Sequence, residues 1–266
     1  MKGKKFFYRW FIIFIYLFFL IGFPIGVLFY RASQTVFSHF VERATDQIAL
    51  SAYYITFSLA LVACFINTIF GFLIAWVLIR YEFKGKKFLD SIIDLPFALP
   101  TSVAGFTLVN IYSRQSTIGQ FLGSFNIQIA FTQFGIIIAM IFVSFPFMIR
   151  SIQPKLLSLN KEIEQAAWLL GASSWNSFQN IIFPFLLPSF LTGMTLAFSR
   201  AIGEYGSIVI ISSNFPLKDL IASVLVFQSL EQYDYLNATI IGIVMLLFSL
   251  LLLIAINFFQ SWNIFR

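Results

Sequence analysis

Three long stretches of this chain carry no charge at all: residues 10–30, 53–79 and 235–258 contain no Asp, Glu, Lys or Arg. A helix that crosses a bilayer needs about 20 predominantly apolar residues in a row, and each stretch meets that length. Two more runs are charge-free, 95–113 after Asp94 and 131–149 before Arg150, and a further one at 181–212 is interrupted by Arg200 and Glu204. Composition agrees with the runs. Only 11% of residues are charged and the mean hydropathy is +0.89, where a soluble domain carries about 25% charged residues. The pattern predicts an all-α integral membrane protein, one domain over residues 1–266. Its six transmembrane helices are expected near 10–30, 53–79, 92–113, 131–150, 181–212 and 235–258.

The first run follows "MKGKK" and has the outline of a signal peptide. Its length exceeds a normal signal core, and no small-residue cleavage site follows in "GVLFYRAS". It is expected to be a retained span. With six spans, both termini and the loops near 80–90 and 150–180 share one face. That face holds Lys2, Lys4, Lys5, Arg9, Arg80, Lys84, Lys86, Lys87, Arg150, Lys155, Lys161 and Arg266, against Arg31, Arg43, Arg114 and Lys218 on the other. Positive residues are retained on the cytoplasmic side, so both termini are expected there, on the stromal side in a plastid. Topology thus accounts for the net charge of +6, and no nucleic-acid partner is expected.

Catalytic signatures are missing. His39 is the only histidine, which excludes an H-E-x-x-H zinc site, and no G-x-x-x-x-G-K-[ST] phosphate loop occurs. Cys64 is the only cysteine and falls inside a span, so no disulfide within the chain is possible. The expectation is a non-enzyme with no cofactor and no metal.

Two spans hold polar residues that lipid would not tolerate. The third opens "DSIIDLPFALPTSVAG", placing Asp90, Asp94, Pro96, Pro100, Thr101 and Ser102 together. Proline frees backbone carbonyls, which membranes accept only where protein or a wet cavity satisfies them. A kinked helix packed through small residues and a helix lining a pathway are both open readings. In "SRAIGEYGS", Arg200 and Glu204 are four apart and share a helical face. A self-neutralising pair and an Arg200 that lends positive potential to an anion path, its rotamer fixed by Glu204, are the alternatives here. Gly203 and Gly206 allow close backbone approach or a bend.

The remaining anomaly is polar. In "SLNKEIEQAAWLLGASSWNSFQNIIFP", residues 158–184, Lys161, Glu162 and Glu164 interrupt the apolar background. Asn160 is placed to cap a helix whose first turn holds Glu162 and Glu164, where the dipole favours negative charge. Ile163, Ala166, Ala167 and Leu170 follow helical spacing, and Gly171 is a stop signal. Such a helix lies in the headgroup layer or docks in a partner's groove. Ala166 and Ala167 favour docking, because small residues anchor poorly in lipid.

"EQAAWLLGASSWNSFQNIIFP" resembles the EAA loop of ABC-importer permeases, with Ala166, Ala167, Gly171, Ile181 or Ile182, and Pro184 in register. Counted back from Gly171, the signature glutamate falls on Gln165, with Glu164 one residue earlier. "LPFALPTSVAGFTLVNIY" and "SFLTGMTLAFSRAIGEYGSIVIISSN" are similar to the sulfate/thiosulfate permease group, T-type subunits above all. Molybdate and tungstate permeases are similar around Gly203–Gly206. The resemblance implies a type I ABC importer permease (MetI-like) fold. It also implies two ABC ATPase subunits, a second related permease, an extracytoplasmic sulfate-binding protein and a surrounding bilayer. Residues 158–178 are then the coupling loop, with Glu164, Gln165, Ala166, Ala167, Gly171 and Ala172 against the ATPase. Arg200, Gly203, Glu204, Thr101 and Ser102 are candidates for the pathway or the permease interface. An anion importer needs an energy source, since one charge across 100 mV is worth about 2.3 kcal/mol. A secondary anion transporter without an ATPase, and an assembly factor with no pathway, are the readings of other classes. Thirty-six Phe among 266 residues point to AT-rich coding, in a plastid or else in a bacterial inner membrane.

Overall fold

The computed structural model describes residues 2–264, with side-chain surroundings given for Trp10–Ile256 and Phe258. Arg266, counted above with the termini, lies outside the described residues. Among the described residues, helices dominate and no strand occurs. Five helices among the described residues are long and apolar enough to cross a membrane: Trp10–Ser33, Gln47–Arg80, Gln133–Leu157, Ser174–Ile202 and Tyr235–Ile256.

The first span joins α1 (Lys2–Leu17) through a π turn at Phe18–Gly22 to α2 (Phe23–Ser33). None of the span Trp10–Ser33 is buried within the chain. A short amphipathic α3 (Phe37–Ala44) leads to α4 (Gln47–Arg80), which Asp46 caps by accepting a bond from the Ile48 N–H at 3.0 Å. The last long helix, α15 (Tyr235–Ile264), packs on α2 and α3.

The centre is made by α4, α9 (Gln133–Leu157) and α12 (Phe183–Ile202), which pack pairwise. In lipid no hydrophobic force drives helices together, so close packing of small residues must do it. Helix α4 supplies such a stripe: Ala52, Thr56, Ala60, Cys64, Thr68 and Ala75 are all buried. Met148 of α9 shows how tight the fit is. A Cβ on Gly71 would lie 2.8 Å from its Cγ, and a Cβ on Gly193 of α12 2.8 Å from its Sδ. One methionine therefore fills the gap between two glycines on different helices. Asn67 adds a polar tie, donating to Ser144 Oγ at 2.8 Å across the α4–α9 contact.

The third predicted span is not one helix. It divides into α5 (Lys86–Ile93), α6 (Leu95–Ala98) and α7 (Thr101–Tyr112), after which a short α8 (Thr117–Gly123) leads toward α9. Two prolines cause the division. Pro96 opens α6, and Pro100 drives Leu99 into extended backbone with ψ 132° before α7 begins. Twelve residues of α7 rise about 18 Å, short of a core of about 30 Å. The fifth predicted span, 181–212, is likewise interrupted. Helix α12 ends at Ile202, and a turn leads to the short α13 (Ile208–Ile211), packed on α7. A loop folded round the buried Asp219, which accepts from the N–H groups of Ser213 and Phe215 at 2.8 Å each, then leads to α14 (Ala222–Glu231).

Arg150 ties the broken segment to the bundle. Its Nε and Nη2 fork onto Asp94 at 2.8 and 2.7 Å, Nη1 donates to Asp90 and Gln153 at 2.8 and 2.6 Å, and Nη2 also reaches the Asp90 carbonyl at 2.8 Å. All five guanidinium donors are used. The Gln153 amide and Arg150 hold the Asp90 carboxyl below its ordinary value. Asp90 thus stabilises the fold fully above the unfolded carboxylate value, and the contribution is lost as pH falls through the depressed folded value. Arg150→Ala is expected to cost about 1–3 kcal/mol, discounted because the cluster is partly open to solvent. Thermal unfolding of purified protein checks this, and Arg150→Lys should rescue little because a lysine cannot fork.

Candidate functional site

The polar segment forms a helix, a turn and a second helix at the Arg80 end of the bundle. Helix α10 (Lys161–Leu169) begins at Asn160, whose Oδ1 accepts the Glu162 N–H at 3.0 Å. It ends in a Schellman turn: Ala172 N–H bonds Ala167 O and Gly171 N–H bonds Trp168 O, both at 3.0 Å. Gly171 sits at φ +87°, in the left-handed region. Ser173 then caps α11 (Ser174–Ser177), accepting from Asn176 N–H at 3.2 Å, and a π turn at Phe178–Ile182 carries the chain into α12.

The structure splits the apolar set Ile163, Ala166, Ala167 and Leu170 that helical spacing places on one face. Glu164 and Ala167 turn toward the protein, while Ile163, Ala166, Trp168, Leu169 and Leu170 are exposed, the two leucines at 89%. Ala167 therefore does not share an outer face with Ile163, Ala166 and Leu170. The physical reason is Arg80: its Nη2 pairs with Glu164 Oε1, so the carboxylate, not an apolar side chain, selects the inward face. Gln165 is exposed and Ala172 half-buried.

An aromatic cluster secures the second helix. Phe178 stacks on Trp175 at 5.6 Å and meets Trp76 edge-on at 5.7 Å, and Trp76 in turn lies 5.0 Å below the Arg80 guanidinium. Arg80 and Trp76 of α4 thus hold both halves of the loop.

The second candidate set gathers at the α12–α13 turn. Arg200 Nη1 pairs with Glu204 Oε2 at 2.8 Å, and Glu204 Oε1 accepts both the N–H and O–H of Ser207 at 2.9 and 2.8 Å. Glu204 is 1% exposed. Its carboxylate is satisfied on both oxygens, and it staples the end of α12 to the start of α13. The N-terminal half of α7 presses against this turn. A Cβ on Gly105 would lie 2.5 Å from Ser207 O, and one on Gly206 would collide with Thr101 Oγ1. Thr101 is therefore brought to the turn. Ser102 is exposed, though its backbone N would lie 3.3 Å from that same Cβ on Gly206. Gly203 is exposed and uncrowded, with a Cβ there meeting only Ser199 O at 3.7 Å. Close approach requires Gly206, not Gly203.

Sequence reasoning missed the two arginines that organise these regions. Arg80 and Arg150 were read only as votes on topology. A sharper signal was present, since each ends an uncharged run of a span and so sits where a partner carboxylate can reach it.

Solved structures share this architecture. A chain of a bacterial alginate ABC transporter in complex with an alginate-bound periplasmic protein superposes with a TM-score of 0.78 at 19% identity, covering 96% of this chain and 94% of that one. A chain of the inward-facing MetNI methionine ABC transporter gives 0.59 at 16% identity, covering 80% and 93%. The fold is that of an ABC importer permease. Residues 67–266 match the family described as binding-protein-dependent transport system inner membrane component, and the chain belongs to that family. It is a non-catalytic transport subunit. Its relatives include the probable sulfate transport system permease protein cysT of Nephroselmis olivacea, 54% identical over 99% of this chain and 93% of that protein. Those of Mesostigma viride (57% identical, covering 93% and 92%) and Synechocystis sp. (51% identical, covering 96% and 89%) are similar.

Proposed function

We propose that this chain is the permease subunit of an ATP-driven sulfate importer, coupled to two ATPase subunits through the loop at 158–178. The observation that carries the coupling is α10 itself, a rigidly capped helix that offers Leu169 and Leu170 to water at 89% exposure each. Such an apolar patch on a short, well-held helix fits a partner's groove. With α5, α6 and α7 together counted as the sixth crossing, the cation balance of the loops supports an α10 that faces the cytoplasm or stroma together with both termini. A second, related permease covers the exposed α7 face and closes the anion path, toward which Arg200 turns its partly open guanidinium. A sulfate-binding protein delivers the anion from the opposite side. Sulfate as cargo rests on the relatives of Nephroselmis olivacea and Synechocystis sp., named as sulfate permeases. A plastid membrane as location rests on the Phe-rich composition and on matches in Chlorella vulgaris and Marchantia polymorpha.

Co-purification of the tagged chain from its own membranes, followed by uptake in proteoliposomes, tests the reading. Two ATPase copies and one sister permease are expected in the complex, with labelled sulfate uptake that requires ATP. Excess unlabelled sulfate or thiosulfate should suppress it, and excess molybdate should not. Stronger competition by molybdate overturns the cargo, and uptake that persists without any ATPase overturns the class.

A further inference from the structure

The geometry points to a mechanical joint inside this subunit: we propose that the buried ion pair Arg80–Glu164 passes displacement of α10 directly to α4. The proposal rests on the coupling reading above and adds to it the element that receives the motion. Arg80 is the last residue of α4, a 34-residue helix packed on both α9 and α12. Any force on Arg80 is therefore applied at the end of one of the three central helices. Glu164 lies on the inner face of α10, one turn before the buried Ala167, while the exposed apolar residues lie on the outer face. A partner that pushes on Leu169 and Leu170 drives Glu164 toward Arg80.

Three observations make this a joint and not a surface contact. Both side chains are removed from water, at 14% and 9% exposure, so the attraction is little screened. Separating them would leave two buried charges without compensation, which holds the pair together under load. The guanidinium also rests on Trp76, whose ring meets Phe178 of the π turn, so both arms of the loop converge on one turn of α4.

Arg80 also has spare capacity. Its Nη2 is on Glu164, but its Nε is buried and unpartnered. Those two nitrogens form the edge with which Arg150 forks onto both oxygens of Asp94. The Arg80–Glu164 pair is half of such a fork. It can close to two bonds when α10 moves inward, so the joint tightens under compression without a break in contact.

Charge exchange in the full complex tests the joint. Arg80→Glu and Glu164→Arg, each alone, are expected to lower ATP-driven sulfate uptake by about tenfold or more, and to abolish the rise in ATP hydrolysis that the sulfate-loaded binding protein produces. ATPase should still co-purify, because the outer face of α10 is untouched. The double exchange should bring uptake back to within about threefold of the parent. Single variants with normal uptake, or a double variant no better than either single at equal membrane level, overturn the joint. If the single exchanges do not accumulate, Arg80→Gln and Glu164→Gln replace them, and unchanged uptake in both overturns it equally. A parent complex that recovers no ATPase overturns the coupling reading and the joint with it. A coupled parent with indifferent variants overturns the joint alone.

Discussion

Gly171→Pro is expected to reduce ATP-driven uptake to background and to strip the ATPase from the purified complex. Proline locks φ near −65°, while Gly171 stands at +87°. It also lacks the N–H that bonds Trp168 O at 3.0 Å. The Schellman turn cannot form, and α11 leaves α10 in another direction. Side-chain bulk is not the cause, because nothing lies within 4 Å of a Cβ built there. Backbone conformation alone orders a series. Gly171→Asn, which tolerates the left-handed region, should lose little; Gly171→Val should lose more, since that region costs an L-residue about 1–2 kcal/mol. Proline should be worst. Pull-down of the ATPase with each variant, normalised to membrane level, measures the order. Normal recovery by the proline variant would sink the assignment of this turn to coupling.

The second large effect is expected at Glu204. Glu204→Ala removes the acceptor for Arg200 and for both donors of Ser207, in a site that is 1% exposed. Breaking a buried pair from one side costs about 3–5 kcal/mol. Here Arg200 remains 31% exposed, so the lower end of that range applies. The freed turn also carries Gly206, against which Thr101 packs, so α7 should loosen with it. The complex should melt several degrees lower in detergent, and uptake should fall in proportion to folded protein. Arg200→Lys separates the two roles of the pair. It keeps a cation for Glu204, so stability should survive. Uptake that falls while the melting temperature holds would assign Arg200 to the anion path; uptake that tracks stability would leave it a packing residue.

How much of this was legible in the sequence follows the range of the forces. The uncharged runs around α4, α9, α12 and α15 marked spanning helices because bilayer thickness acts on every residue of a run. Gly171 was legible for the same local reason, as a stop after a helical repeat. Pro96 and Pro100 announced a disturbance in the third span, but not that three helices would replace one. The prolines divide the segment; what local pattern did not show is how its first helix is then held, by Arg150, 60 residues on from Asp90. That Ala167 leaves the apolar docking face was not legible, because the partner that turns Glu164 inward beside it, Arg80, is 84 residues from Glu164. Periodicity sorts polar from apolar, and it carries no record of a distant charge that makes a polar residue the buried one.

The leucine pair at the tip of α10 bears on how much of this protein a cell can hold. Leu169 and Leu170 are nearly fully in water, on a helix outside the lipid-length spans. A copy with no ATPase seated on it displays that patch continuously, and exposed apolar segments of this kind are what chaperones and proteases engage. On the coupling reading proposed above, orphan copies show this mark and assembled ones hide it. On that reading, supply of the ATPase is expected to limit how many permeases persist in the membrane.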